Sequence, residues 1–200
     1  MNIFETALLR YLKPDQLALI QGKRIAIGGA GGLGSNICAA LVRTGFKYFE
    51  ILDKDIVDPS NLNRQDYTLA DVGKPKVECL KARMLTINPD AEVNIHHREW
   101  TANNANGLFE NADIIVEAFD KADIKTTFVE YYATRAPFVV SGNGMSGLNT
   151  TTSSVAVRKV GNIFLVGDGI TSIHDGHPAL APRVIQCAAK MAEIILSLTL

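Results

Sequence analysis

The chain has 200 residues, of which 47% are apolar and 20% are charged, and its formal net charge is −1. This composition is typical of a folded globular enzyme, and the absence of a basic excess disfavours a nucleic-acid-binding surface. No apolar run approaches the roughly 18 residues of a membrane span, the N-terminus lacks a secretory pattern, and three widely spaced cysteines predict a reducing, cytoplasmic location.

The first predicted elements are helical, and a regular alternation follows them. Residues 1–21 carry apolar side chains at helical spacing with an interruption at Pro14, which predicts an N-terminal helical extension. Strands are then predicted at 24–28, 48–53, 92–96, 113–117 and 137–141, and helices at 33–44, 75–87, 103–110 and 122–134. This alternation predicts crossover connections in an α/β, Rossmann-like, doubly wound and mostly parallel sheet.

The pattern changes after residue 150. Apolar segments at 154–157 and 163–166 flank Val160-Gly161-Asn162, which predicts a C-terminal antiparallel hairpin. A loop at 167–181 and a closing apolar helix at 182–198 follow. The glycine-rich loop at 142–147 either admits an extended peptide or only turns the chain. We expect all 200 residues to form one nucleotide-binding domain.

A glycine-rich turn directly follows the first predicted strand. It reads Gly28-Gly29-Ala30-Gly31-Gly32-Leu33-Gly34-Ser35 and contains the spacing Gly29-x-Gly31-x-x-Gly34. Such a turn lets the backbone approach phosphate groups closely, and the following helix offers free N–H groups there. Asp53 ends the second strand, where a carboxylate accepts hydrogen bonds from ribose hydroxyls. These features predict a nucleotide site and fit an NAD-dependent dehydrogenase equally well.

The segment beyond Asp53 favours a triphosphate. It contains Asn61, Arg64 and Lys76, and the two cations suit a ligand whose negative charge moves onto pyrophosphate as it leaves. Asp120 follows the fourth strand, where a carboxylate can meet a hard cation that bridges phosphate oxygens.

Four motifs in this order resemble the ThiF/MoeB/HesA superfamily, the bacterial relatives of ubiquitin-activating enzymes. They are Gly29-x-Gly31-Gly32-Leu33-Gly34-Ser35, Asp53-x-Asp55-x-Val57, Ser60-Asn61-Leu62-Asn63-Arg64-Gln65 and Gly73-x-Pro75-Lys76. The resemblance implies a homodimeric adenylyltransferase that uses ATP and Mg²⁺ to activate the C-terminal Gly-Gly carboxylate of a small ubiquitin-like sulfur carrier. The compact chain is most similar to the thiamine-biosynthesis type, which acts on a ThiS-type carrier.

The same resemblance implies roles for individual residues. It assigns Arg64, Lys76 and Asp120 to catalysis, with Asp120 on the Mg²⁺ side. The residues implied to bind the nucleotide are Gly29, Gly31, Gly32, Gly34, Asp53, Asn61, Arg64, Gln65 and Lys76. The attacking carboxylate has a reference pKa of about 3.5 and is already ionised at neutral pH, so cations and positioning would supply the catalysis without a general base.

The chain departs from the family at several positions. It lacks the two Cys-x-x-Cys pairs of many relatives, so we expect no structural zinc. The loops 142–150 and 167–181 contain no cysteine, which favours adenylation alone over sulfur transfer. Lys13 stands where relatives carry an arginine that reaches the partner subunit's ATP, which leaves Arg10 or Lys13 for that role. Lys121 and Lys125 replace the usual asparagine and arginine after Asp120.

Three alternative functions remain at this stage. A tRNA threonylcarbamoyladenosine dehydratase-like enzyme shares the fold and activates a carboxylate on RNA, but its expected basic surface is not evident in a net charge of −1. An NAD(P)-dependent dehydrogenase leaves Arg64 and Lys76 without a role. A non-catalytic nucleotide-binding scaffold would bind ATP without releasing pyrophosphate.

Overall fold

The computed structural model describes residues 1–144, 146–147, 155–171 and 176–200. Within these residues, short apolar segments form one seven-stranded sheet with the order β3-β2-β1-β4-β5-β7-β6. All neighbouring strands are parallel except β6, which is antiparallel to β7. The strands are β1 (Arg24–Gly28), β2 (Tyr48–Leu52), β3 (Glu92–His96), β4 (Ile114–Glu117), β5 (Phe138–Gly142), β6 (Ala156–Val160) and β7 (Ile163–Gly167). The predicted doubly wound fold with its C-terminal hairpin is therefore confirmed; the predicted hairpin residue Ser154 lies outside the described residues.

Helices cover both faces of the sheet, because successive side chains of a strand point to opposite faces. Ile25 and Ile27 of β1 belong to the core under one face, whereas Ala26 between them belongs to the core under the other. The helices of the described chain are α1 (Ile3–Leu8), α2 (Pro14–Gly22), α3 (Gly32–Thr44), α4 (Lys76–Ile87), α5 (Ala122–Ala133) and α6 (Ala181–Ser197). The first core includes buried residues of α3, α4 and α6, and the second is built around Phe128 and Tyr132 of α5.

One local prediction is corrected by the structure. The helix expected at 103–110 is a single 3-10 turn, Ala102–Asn104, followed by irregular chain. Gly107 and Phe109 adopt positive φ angles of 79° and 65°, which end helical geometry. Ala105, Leu108 and Phe109 are nevertheless buried, and their spacing imitated an amphipathic helix. The N-terminal extension is helical with an interruption at Pro14, as predicted: it consists of two helices, and Pro14 opens α2 at its first position.

The order of the strands fixes where a ligand can bind. From β1 the chain proceeds to β2 and β3 on one side and to β4 and β5 on the other, so the carboxyl ends of β1 and β4 border a crevice. No helix within the described residues is long and apolar enough to cross a membrane.

Candidate functional site

A cavity of about 540 Å³ lies at this crevice, beyond the carboxyl ends of the central strands. Its walls include the residues that follow β1, β2, β4 and β5, among them Gly29, Asp53, Asp120 and Asn143. Of the predicted site residues, the cavity brings together Gly29, Gly31, Gly32, Asp53, Arg64, Gln65, Lys76 and Asp120. Gly34 and Asn61 are not among its lining residues.

The glycine turn is shaped by close backbone contacts. Gly29 has a φ angle of 99°, and a Cβ atom there would lie 2.7 Å from the carbonyl oxygen of Ala118. A Cβ atom at Gly34 would lie 1.9 Å from the carbonyl oxygen of Gly29. Gly34 therefore lets α3 pack against the turn, whereas Gly29, Gly31 and Gly32 form the cavity wall.

Asp53 anchors the glycine turn and also faces the cavity. Its Oδ2 accepts a hydrogen bond from the Ala30 N–H at 2.6 Å, and its Oδ1 accepts one from the Asp55 N–H at 2.7 Å. Burial raises the pKa of this carboxyl, and the two N–H donors offset only part of that effect. A carboxylate has about four acceptor sites, so capacity remains for ligand hydroxyls.

The predicted phosphate residues are held in different ways. The Lys76 ammonium lies 2.9 Å from Asp55 Oδ2, with its side chain 7% exposed. Arg64 Nη1 donates to Asn63 Oδ1 at 2.8 Å, at the edge of the glycine turn near Gly32. Both cations are thus held at the cavity without direct pairing to Asp53.

Gln65 and Asn61 differ in whether their side-chain oxygen is already used in a hydrogen bond. Gln65 is 8% exposed, and its Oε1 has no hydrogen-bond partner within the described chain. A buried acceptor of this kind is costly unless a ligand or water supplies a donor. Asn61 instead uses its Oδ1 to accept from the Asp58 N–H at 3.0 Å, which caps the 3-10 helix Pro59–Asn63. The Asn61 oxygen therefore already has a partner in the folded chain. Its contact with phosphate stays a prediction.

The cavity carries a local positive excess that the whole-chain charge conceals. Six cationic side chains line it against four acidic ones, an excess of two positive charges. Within the described chain, the side chains of Arg98 and Lys121 have no ion pair, whereas Lys54 pairs with Glu99. The cations are Lys54, Arg64, Lys76, Arg98, Lys121 and Lys125, and the acids are Asp53, Asp55, Glu99 and Asp120. The net charge of the chain does not reveal this cluster of cations, because it averages over the whole surface.

A buried charge pair supports the wall beyond β4. The Glu117 side chain is fully buried, and its Oε2 accepts from Lys125 Nζ at 2.7 Å and from Ser141 Oγ at 2.6 Å. Its Oε1 accepts from the Phe119 N–H at 2.7 Å. These bonds fix the start of the loop that carries Asp120. Asp120 itself is exposed, and no group of three or more His, Cys, Asp or Glu side chains within the described chain is placed to hold a metal.

The opposite wall comes from segments that are distant in sequence. Ser146, Thr171, Ala179 and Val184 line it. Asp168 links the segment after β7 to α6. It accepts hydrogen bonds from the N–H groups of Ile170 and Thr171, both at 2.9 Å, and it pairs with Arg183 of α6. The sequence pointed only to the loop 142–147, which contains Ser146, and gave no role to the other residues of this wall, because only the tertiary fold joins β5, β7 and α6 here. Met145, within the glycine-rich loop discussed above, lies outside the described residues.

Comparison with known proteins gives one family and a consistent set of relatives. The ThiF family matches residues 5–166. tRNA threonylcarbamoyladenosine dehydratase 2 of Saccharomyces cerevisiae is 33% identical over 148 residues, which cover 72% of this chain and 33% of the relative. The tRNA threonylcarbamoyladenosine dehydratase of Bacillus subtilis is 36% identical over 108 residues, covering 53% of this chain and 42% of the relative. The match thus spans less than half of either relative.

A solved structure gives the same fold over nearly the whole chain. The crystal structure of the E. coli tRNA N6-threonylcarbamoyladenosine dehydratase TcdA in complex with AMP superposes with a TM-score of 0.84 and 22% identity, covering 97% of this chain and 93% of that one. The narrower expectation of a thiamine-type enzyme that activates a ThiS-type carrier is wrong. These relatives are tRNA threonylcarbamoyladenosine dehydratases, which correspond to an alternative that the net charge had disfavoured.

Proposed function

Because the chain belongs to the ThiF family, we propose that it uses ATP to activate a carboxylate, and that the carboxylate belongs to threonylcarbamoyladenosine in tRNA. The observation that carries the proposal is the likeness to two tRNA threonylcarbamoyladenosine dehydratases, over 72% and 53% of this chain. The local positive excess of the cavity agrees with a polyanionic substrate.

The chemistry of such a dehydration explains the need for ATP. A carboxylate oxygen is a poor leaving group, and transfer of AMP to it with release of pyrophosphate converts it into a good one. An atom of the carbamoyl group then attacks the carboxyl carbon, the bond from that carbon to the AMP oxygen breaks, and a ring closes with loss of a proton. The oxygen removed as water leaves with AMP.

The residues of the cavity fit the first of these steps. The Gly29–Gly32 turn and the start of α3 would hold the phosphates through backbone N–H groups, and Asp53 would accept from the ribose hydroxyls. Arg64 and Lys76 would stabilise the charge that develops on pyrophosphate. The attacking carboxylate is already an anion at neutral pH, so the step requires positioning and cations rather than a general base.

The cavity can also accommodate the expected Mg²⁺. Mg²⁺ is usually held by one or two carboxylates together with phosphate oxygens and waters, and Asp120 supplies one exposed carboxylate at the cavity. Bound there, the ion would neutralise phosphate charge during the transfer.

The homodimer expected from the family stays a proposal. β6 is an edge strand whose five residues are all exposed, and Arg10 and Lys13 are exposed on the N-terminal segment. An edge strand of this kind presents backbone N–H and C=O groups with which a second chain can pair. Sedimentation of the purified chain at several concentrations measures the association directly.

The test of the proposed function uses tRNA that carries threonylcarbamoyladenosine. Incubated with ATP and Mg²⁺, the protein is expected to release pyrophosphate and AMP and to convert the modified nucleoside to a product lighter by one water molecule, measured by mass spectrometry. The same tRNA without the threonylcarbamoyl group is the control and is expected to release neither. ATP binding without pyrophosphate release would identify a scaffold, and NAD(P)H binding without ATP binding would identify a dehydrogenase.

A further inference from the structure

The wall formed by Ser146, Thr171, Ala179 and Val184 combines hydroxyl groups with small apolar side chains. We call it the acceptor wall. Ser146 is 2% exposed, and its Oγ has no hydrogen-bond partner within the described chain. A buried hydroxyl without a partner is unusual in a folded protein, so a ligand group that hydrogen-bonds it is the natural explanation.

The position of Ser146 is fixed by a chain of contacts that does not use its hydroxyl. Its N–H donates to Thr171 Oγ1 at 3.2 Å, and Thr171 Oγ1 donates to Asp168 Oδ2 at 2.7 Å. Asp168 in turn pairs with Arg183 at the start of α6. The backbone of Ser146 is therefore anchored, while its buried Oγ has no partner within the described chain.

The acceptor wall borders the part of the cavity where phosphates would lie. A Cβ atom at Gly32 would lie 2.9 Å from Val184 Cγ1, so the wall contacts the glycine turn directly. Asn63 Nδ2 also donates to the Ala179 carbonyl at 3.0 Å, which joins the wall to the segment carrying Arg64. A group held against this wall is thus adjacent to the predicted site of adenylation.

From this geometry we infer that the acceptor wall binds the threonyl side chain of the substrate. Ser146 Oγ hydrogen-bonds the threonyl hydroxyl, and Val184 and Ala179 contact its methyl group. This assignment rests on the proposed function and adds a specificity-determining residue to it. A wall with one buried hydroxyl beside apolar carbons matches a side chain that has one hydroxyl and one methyl group.

The experiment compares two tRNA substrates with two variants. One tRNA carries threonylcarbamoyladenosine, and the other carries an analogue with 2-aminobutyrate in place of threonine, which lacks only the hydroxyl. For Ser146→Ala, kcat/KM is expected to fall about 10-fold on the threonyl substrate and to stay unchanged on the analogue, since one hydrogen bond is lost in the first case only. Ser197→Ala, at the exposed end of α6, is the matched control and is expected to behave as wild type on both.

The outcomes separate the inference from the proposed function. If the wild type is active and Ser146→Ala lowers kcat/KM equally on both tRNA substrates, the role assigned to the acceptor wall is wrong. The same holds if the variant changes kcat/KM on neither substrate. In both cases the proposed function is unaffected. A wild type that binds ATP but converts neither tRNA overturns the function and the assignment together. If Ser146→Ala unfolds, Ser146→Cys retains a weaker donor, and a smaller loss confined to the threonyl substrate is expected from it. The affinity for ATP is expected to be unchanged in every variant that folds.

Discussion

Two aspartates accept backbone hydrogen bonds on the two sides of the cavity, and their pKa values are shifted in opposite directions. Asp53 binds the N–H groups of Ala30 and Asp55 beside the glycine turn, and Asp168 binds those of Ile170 and Thr171 in the acceptor wall. Burial raises the pKa of Asp53. Burial acts in the same direction on Asp168, but the hydrogen bonds from Thr171 and Ile170 and the Arg183 guanidinium outweigh it and lower its pKa.

The difference lies in which partner each carboxylate has in the folded chain. Asp168 contacts a cation directly, so its charge is compensated before any ligand arrives. Among the described residues no cation contacts Asp53 directly, since Lys76 is paired with Asp55 instead. We conclude that the Asp168 side contributes to the stability of the fold, whereas the Asp53 side keeps an incompletely compensated anion available for a ligand.

The largest effect is expected from Asp168→Ala. This change removes the carboxylate that pairs with the 13% exposed Arg183 side chain and the acceptor of two N–H groups, so the free energy of unfolding should fall by about 3 kcal/mol. Urea denaturation at neutral pH measures it. Asp90→Ala, at an exposed carboxylate with no ion pair in the described chain, should change stability by less than about 0.5 kcal/mol. Equal effects from the two variants would contradict the structural role of Asp168.

Lys76→Ala should affect catalysis more than stability. Removing an ammonium that stabilises the leaving pyrophosphate is expected to lower the rate of AMP and pyrophosphate release by about 10²-fold, as with lost oxyanion donors. Asp55, its partner, is 52% exposed and can be solvated by water when Lys76 is absent, so the melting temperature should change little. Lys190→Ala, which removes a surface pair with Glu193, is the control. Near-normal pyrophosphate release from Lys76→Ala would refute its assigned role.

The two sides also differ in how much of them the sequence could predict. The glycine turn, Asp53, Arg64 and Lys76 lie in local motifs whose spacing indicates a ligand class, and the structure brings them to one cavity. The acceptor wall could not be predicted, because Ser146, Asp168 and Arg183 meet only after β5, β7 and α6 are packed together. The phosphate contact predicted for Asn61 stays a prediction, since its oxygen caps a 3-10 helix and the residue is not among those that line the cavity.

The proposed substrate class was disfavoured by the sequence for a related reason. A net charge of −1 counted against tRNA, yet the cavity alone has six cations against four acids. Net charge reports long-range repulsion and solubility, whereas recognition depends on the charges that border one site.

The smallest expected effect is a pH dependence of opposite sign at the two aspartates. The folded pKa of Asp168 lies below its ordinary value of 3.8, so its stabilisation is present above about pH 4 and is lost as the pH falls through the folded pKa. The folded pKa of Asp53 lies above 3.8, so its ionisation costs stability at neutral pH; this cost decreases as the pH falls through the raised pKa and is gone below about pH 4. The quantity to compare is the free energy of unfolding of each variant minus that of wild type. On acidification from pH 7 to pH 3, this difference should rise for Asp168→Asn, because wild type loses the stabilisation. It should fall for Asp53→Asn, because wild type loses the cost. Urea titrations of the three proteins at each pH measure both differences, and a change of the same sign in both variants would show that the two carboxylates do not differ as the contacts indicate.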